Sequence, residues 1–581
     1  MALAATLALV ALVFLPALRC GFTSWDDDAF CSANPDVAHP NLLRIFDPSN
    51  WVVGDWTPLA TVTYAAERAL LGPAPWVPHA TNVALHVLAV GLAYRLLREL
   101  GFTAWTSLGA ALVFGVHPLQ AESVVWVSAR KNVLVEVFAL AFLRSYLAGR
   151  HGRASVWFVL ALCSKATAVG LPLAAAAMHL LGLGAARPRW TWGFVAGWLG
   201  LSAARAALSL KAQAVMVATL ASYGLSGRMA YMGSVLTTQA RQVVAPAGLS
   251  VVYDPPRRGW DDPVLLAQWA GIAALVAAAV LLARRDRKLA FLGVFAALMF
   301  APTANVFPGV CLQADRYLHL PLLAIGAFAL AALRPLATLR AWLPGAALAA
   351  WCAAVLVPAT IARESAWRTS ETLWNDACLR TPGSGLAWGN LGAELLAQGR
   401  TADATAALER AVALPHPQLH TARFDLALAR YRGGDAPAAE PLLREVLAVR
   451  PDDGRAHALL GRICTESGRL DEAAPHLDEA AGRAPDWTTT WLARAELAVR
   501  RGRLDGARAE IARARELPED AAAVATAAAA VEFLDGKADA ALALLRAAAP
   551  SASEATLREV LARKLRHLGR PDDAARAAGS R

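Results

Sequence analysis

The first 360 residues of this chain are a succession of apolar runs that approach or reach the length needed to cross a lipid bilayer. A transmembrane helix takes about 20 consecutive, mostly apolar residues. Eleven runs read as spans: 1–19, 79–97, 104–121, 132–148, 154–163, 168–183, 190–209, 264–283, 288–304, 317–333 and 342–360. Two of them, 154–163 and 168–183, are short and read as half-helices meeting around Lys165. Of the 581 residues, 56% are hydrophobic and 18% charged, against about 45–50% and about 25% in soluble domains. That balance disfavours an ordinary soluble enzyme and excludes disorder. No basic segment precedes the run 1–19, and Arg19 follows it, so a retained first span is favoured over a cleaved signal peptide.

The net charge of +10 points to nucleic acid until it is located. Residues 361–581 hold 30 basic and 31 acidic side chains, and residues 1–360 hold 26 and 15. The apolar half therefore carries the positive charge, which suits loops of a membrane protein and argues against a nucleic-acid partner. Arg284, Arg285, Arg287 and Lys288 form the densest basic loop and are placed in the cytoplasm, with Arg95, Arg98, Arg150, Arg153, Arg187, Arg189, Arg334 and Arg340 on the same side. A cytoplasmic N-terminus and an odd number of spans put the segment after residue 361 on the opposite face. The first external loop 20–78, loop 118–131, stretch 210–263 and loop 305–316 share that face. The Ala- and Arg-rich composition suits a GC-rich bacterial source, hence an inner membrane with periplasmic repeats.

After residue 361 the texture changes to Ala, Arg, Glu and Leu with regular Gly and Pro, at a period of about 34 residues. Trp388, Leu391, Gly392, Leu395, Ala404, Leu408 and Ala411 fit the tetratricopeptide pattern. Leu426, Ala427, Ala439, Leu443 and Pro451 repeat it, then Leu460, Gly461, Ala473, Leu477, Ala480 and Pro485, then Trp491, Ala495, Ala507, Ile511, Ala514 and Pro518. Poorer copies follow around 536–550 and 569–575. The expected fold is all-α: a polytopic membrane domain over 1–361, a connecting helix segment over 362–384, and an α-solenoid over 385–581 whose concave face binds a protein or peptide.

The first external loop opens on Trp25-Asp26-Asp27-Asp28. Three adjacent acids at the mouth of a span are solvated, paired or used: as a general base on an acceptor hydroxyl, or on a metal. His79, Asn82 and His86 share one helical face at i, i+3 and i+7, which favours a polar stripe facing a cavity over zinc ligation. His117, Glu122, Arg130 and Lys131 cluster on the second external loop, and Lys165 interrupts an apolar stretch. Arg228, Gln239 and Arg241 follow on an amphipathic segment. Asp315, Arg316 and Tyr317 open the tenth span. Singly, each cation reads as a snorkelling side chain. Together, Arg130, Lys165, Arg228 and Arg316 read as a site for a lipid phosphate. The seven cysteines show no metal spacing, and a Cys20–Cys31 disulfide stays open for an extracytoplasmic loop.

These residues resemble a known group, the transmembrane-and-TPR O-mannosyltransferases of the GT-C superfamily and their bacterial relatives. The matching stretches are Trp25-Asp26-Asp27 with Asn34-Pro35, Trp56–Leu59, His79/Asn82/His86, His117–Asn132, Ser164-Lys165, Pro246–Tyr253, Ala314–Pro321 and Trp367–Ala377. The resemblance implies a GT-C fold and a polyprenyl-phosphate-linked sugar donor. It implies an acid of the first loop serving the acceptor, as base or through a divalent metal. Carried over by position, Asp26 and Asp27 are the catalytic candidates, with Asp26 favoured, and Arg130, Lys165, Arg228 and Arg316 hold the donor phosphate. Trp56, His79, Asn82, His86, His117, Glu122, Asp315 and Tyr317 shape the pocket. The chain departs from the pattern at Thr57, Gln120 and Asn132, where bacterial relatives often carry His, His and an acid. A non-catalytic membrane scaffold that assembles envelope complexes through its repeats, and a lipid-linked glycan ligase or polymerase, are the competing readings.

Overall fold

The computed structural model describes residues 1–184, 190–221, 224–256, 258–304, 313–332, 343–517 and 520–579. Arg187, Arg189, Cys311, Arg334, Arg340 and Pro518 lie outside the described residues. The chain divides into two compact units, Met1–Ala387 and Trp388–Arg581. Among the described residues the regular structure is helical, with one isolated bridge between Val52 and Asp55.

Among the described residues of the first unit, five helices are long and apolar enough to cross a membrane: Ala2–Arg19, Trp76–Glu99, Thr191–Ala212, Pro263–Ala283 and Gly345–Ala366. The bent pair Ala104–Val116 and Pro118–Val125 makes a sixth if it counts as one span. The eleven spans expected from hydropathy are not confirmed among the described residues. Helices His151–Ser164, Leu171–Leu180, Arg287–Phe300 and His319–Ala332 have 10 to 14 residues. At about 1.5 Å per residue they fall short of a hydrocarbon core about 30 Å thick. Helix Arg130–Leu147 carries Arg130, Lys131, Glu136 and Arg144, and 14 of its 18 residues are buried among neighbouring helices.

Local chemistry explains the breaks. Pro118 forces His117 into extended backbone (ψ 134°), and the run 104–121 bends there by 52°. The run around Lys165 breaks where that residue is extended (φ −157°, ψ 146°), between helix His151–Ser164 and the 3-10 turn Ala166–Gly170. At Gly115 a Cβ would stand 2.6 Å from Val10 and 3.1 Å from Val90, so only glycine lets the first helix and helix Trp76–Glu99 close on helix Ala104–Val116. The first loop is pinned by Phe30, Cys31 and Val37, which pack on Tyr64, Val127 and Leu134.

The second unit is a series of antiparallel helix pairs: Thr401–Val412 preceded by the helix ending at Ala397, Leu419–Arg432 with Ala436–Val449, Gly454–Glu466 with Leu470–Arg483, Thr488–Arg500 with Leu504–Arg515, Ala521–Leu534 with Ala538–Ala548, and Glu554–His567 with Pro571–Ala578. Gly399, Gly434, Gly468, Gly502, Gly536 and Gly569 turn each pair in the left-handed region, at φ between 73° and 87°. The small residue of each period is a packing requirement: a Cβ on Gly461 would lie 2.7 Å from Leu477.

Candidate functional site

The two candidate acids of the first loop have different environments. Asp27 is fully buried. Its Oδ2 accepts from the amide (2.8 Å) and hydroxyl (2.9 Å) of Thr23, and its Oδ1 from the amide (2.9 Å) and hydroxyl (2.6 Å) of Ser128. Four donors saturate the carboxylate, so Asp27 is a joint between the first and second loops. Burial pushes its carboxyl up to about 6, against the pull of those hydrogen bonds. Asp26 is half-buried. Burial raises its carboxyl above the ordinary range, and the charges that oppose this are Lys131 and Arg316. Asp28 is exposed and accepts from the amide of Ala29 at 2.8 Å.

Lys131 and Arg316 belong to a larger charged group. Asp55 takes Lys131 Nζ at 3.3 Å on one oxygen and the Arg205 guanidinium at 3.2 Å on the other. Burial pushes the Asp55 carboxyl up, but Lys131 and Arg205 outweigh it and hold it below the usual carboxylate range. Arg205 also donates to the Trp56 carbonyl at 2.9 Å and lies 5.5 Å from the centre of its ring. Lys165 donates to Asn132 Oδ1 and feels the charges of Lys131, Arg316, Asp55 and Glu122. Asn132 stands where the resembled pattern often has an acid, so the direct partner of Lys165 is a neutral amide. Buried Glu122 accepts from the Arg316 guanidinium and from its backbone amide at 2.9 Å. Lys131, Lys165, Arg205 and Arg316 thus gather with the carboxylates of Asp26, Asp55 and Glu122 in one charged group.

Arg130, expected to bind phosphate, is committed elsewhere. It is fully buried and donates to Asn82 (2.8 Å), Pro78 carbonyl (2.8 Å), Thr63 (3.2 Å) and Glu67 (2.6 Å), with its guanidinium 4.3 Å from the Tyr64 ring. Asn82 serves that arginine and the Trp126 carbonyl. His79 lies 3.4 Å from the Gly21 carbonyl. His86 is buried between the Gly115 carbonyl (3.1 Å) and Glu136 (3.4 Å), and His319 meets the other Glu136 oxygen at 3.1 Å. His117 caps its own turn through Leu119 and reaches the Val243 carbonyl at 3.0 Å. Asp315 accepts from the Tyr253 hydroxyl and lies 3.6 Å from Arg363. Tyr317 packs its ring under Arg316, 5.5 Å away. Arg228 sits half-buried in the first turn of helix Leu225–Val244.

Sequence reasoning passed over Arg205, Asp55 and Glu136 as site residues. The same signal that flagged Lys165, a charge inside an apolar run, was available for Arg205 and Glu136. Cys20 and Cys31 are both free, so the disulfide left open for the loop is not formed. Among the described residues, one group of ligating side chains lies within 4.8 Å of one another: Glu466, Glu496 and His567 in the second unit. Arg462 and Lys564 already neutralise its carboxylates.

The tetratricopeptide repeat family model matches residues 390–445 and 424–486. The chain is similar to protein O-mannosyl-transferase Tmtc2 of Drosophila melanogaster, with 31% identity over 156 residues, 25% of this chain and 16% of that protein. It is similar to protein O-mannosyl-transferase TMTC2 of Mus musculus, with 33% identity over 110 residues, 18% of this chain and 13% of that one. The chain spans less than a fifth of the length of these relatives. Among solved structures, a thermophilic TPR protein of Thermus thermophilus is 22% identical, covering 32% of this chain and 98% of that one, at a TM-score of 0.27. Residues 390–486 match the tetratricopeptide repeat family, in a chain that is similar over about a quarter of its length to proteins named as protein O-mannosyl-transferases.

Proposed function

We propose that this chain is an integral-membrane glycosyltransferase of the GT-C type. It moves a sugar from a polyprenyl-phosphate donor to a protein or glycan acceptor on the extracytoplasmic face, and its repeats recruit the acceptor. The observation that carries this reading is Asp26 within the electrostatic reach of Lys131 and Arg316, in a charged group that also holds Lys165 and Arg205.

The chemistry follows from that juxtaposition. The Asp26 carboxylate takes the proton of an acceptor hydroxyl as its oxygen attacks the anomeric carbon. The bond from that carbon to the phosphate oxygen breaks, and the polyprenyl phosphate leaves with the electron pair. Fixed cations aimed at the departing phosphate stabilise charge that develops only in the transition state. A carboxyl raised by burial is the stronger base for the task.

The test uses the full chain in liposomes, with polyprenyl-phosphate mannose labelled in the sugar and a protein acceptor mixture. Asp26→Asn lowers label transfer by about 100-fold or more, the usual contribution of a general base. Transfer unchanged in Asp26→Asn overturns the reading. A scaffold would transfer no label in either form and would respond instead to substitutions on the concave face of the repeats.

A further inference from the structure

We infer that helix Ser370–Arg380, which follows the last apolar helix, positions Asp26, a role that rests on the proposal that Asp26 is the base. Asp26 adopts φ +70°, and the only other non-glycine residues with positive φ among those described are Val53 and Asp520. The left-handed region is sterically costly for an L-residue and persists where the surroundings over-determine it. Those surroundings can be named. On the C-terminal side, Asp27 is locked by Thr23 and Ser128. On the N-terminal side the restraints come from more than 340 residues away in the chain. The Ser24 amide donates to Ser370 Oγ at 2.9 Å, and Trp374 Nε1 donates to Ser24 Oγ at 3.1 Å. One turn earlier, the Gly21 amide donates to the Arg368 carbonyl at 3.0 Å.

Aromatic packing completes the clamp. The Trp25 ring lies 4.8 Å from Trp374 and 6.4 Å from Trp126, whose Nε1 donates to the Trp25 carbonyl at 2.8 Å. Trp126 stacks on Trp367 at 5.7 Å and takes the Arg316 guanidinium over its ring at 5.4 Å. The residues on either side of Asp26 are therefore fixed, and one of the walls that fix them, Trp126, carries Arg316, a cation whose charge acts on Asp26. Ser370 and Trp374 act on Asp26 through Ser24 and Trp25. The segment Trp367–Ala377, one of the stretches that carry the resemblance, thereby acquires a task in the first unit.

Hydrogen exchange on the full-length protein in detergent tests this directly. Ser370→Ala removes the acceptor of the Ser24 amide, and Trp374→Phe keeps a ring against Trp25 but removes its donor. Each is expected to speed exchange of the amides in 21–28 by about ten-fold, the worth of one hydrogen bond, with helix Pro58–Leu71 unchanged. Ser370→Thr, which keeps the acceptor oxygen, restores the wild-type rate. In the transfer assay both variants lower kcat and leave KM for the donor unchanged. Unaltered exchange in 21–28, exchange raised uniformly across the membrane unit, or a change confined to KM each overturns the proposal. If Asp26→Asn transfers normally while 21–28 loosens in Ser370→Ala, the clamp stands and the assignment of Asp26 as base falls.

Discussion

Asp27 and Ser128, 101 residues apart in the chain, are joined twice through one carboxylate oxygen, by the serine amide at 2.9 Å and by its hydroxyl at 2.6 Å. This joint fixes the first loop to the start of helix Arg130–Leu147, and it leaves Asp26, not Asp27, as the acid on which the charges of Lys131 and Arg316 act.

Asp27→Asn should therefore act on stability. An amide NH2 would confront a backbone N–H of Thr23 or Ser128, at a cost of about 1–3 kcal/mol. The raised carboxyl gives the effect a pH dependence. Stability from proton uptake on Asp27 is present below its ordinary value of 3.8 and is lost as pH rises through about 6. The margin of the wild type over Asp27→Asn is thus widest near pH 4 and narrows toward pH 6. Unfolding of the solubilised chain at stepped pH measures it.

Arg130 is expected to behave as a packing residue. Arg130→Ala strands Glu67 without its ion-pair partner and lowers stability by about 3–5 kcal/mol. Arg130→Lys also destabilises, because one ammonium cannot reach Asn82, Thr63, Glu67 and the Pro78 carbonyl together. Thermal unfolding checks both. A phosphate ligand would instead show weakened donor binding at unchanged stability.

Lys131→Ala and Arg205→Ala should weaken binding of polyprenyl phosphate by about 10- to 100-fold each, the range for a hydrogen bond to a charged group. Binding to the full chain in nanodiscs, titrated at low and high salt, reads this out. Each variant is expected to have a shallower salt dependence than the wild type.

Glu136 joins His86 and His319 from three helices. Glu136→Gln removes the negative charge shared by the two imidazoles and leaves a single acceptor oxygen, costing about 1–3 kcal/mol. The loss should appear in thermal unfolding of the membrane unit, with the repeat helices unaffected.

In the repeats, His567 lies 3.1 Å from Glu466 and 3.5 Å from Glu496, and these carboxylates raise its imidazole above the ordinary 6.5. The stability this supplies is present below 6.5 and is lost as pH rises through the raised value. The side chain is 34% exposed, so solvent screening holds the effect to about 1 kcal/mol or less. Between pH 6 and pH 8 the wild type should lose more thermal stability than His567→Gln.

The apolar character of the first 360 residues and the repeat architecture of the rest are legible in the order of the amino acids alone. Both are periodic local signals: a helix long enough to cross a bilayer, or a Gly, Ala and Pro pattern at a period of about 34 residues, is written in consecutive residues. Hydropathy does not fix where a helix bends or stops, and among the described residues five helices, not eleven, are long and apolar enough to cross a membrane. Pro118 bends its run, the break read around Lys165 is present, and the charges of Arg130–Leu147 find partners on other segments.

Which charges meet is a matter of packing. Arg130 and Lys131 are adjacent in sequence, yet a helix turns about 100° per residue, so one enters the Glu67 pocket and the other reaches Asp55. Arg205 joins the same carboxylate from 150 residues away, and Ser370 restrains Ser24 from 346 residues away. A carboxylate becomes a joint or a candidate base according to the donors around it, and those donors are brought in by tertiary contacts between segments that no local pattern links.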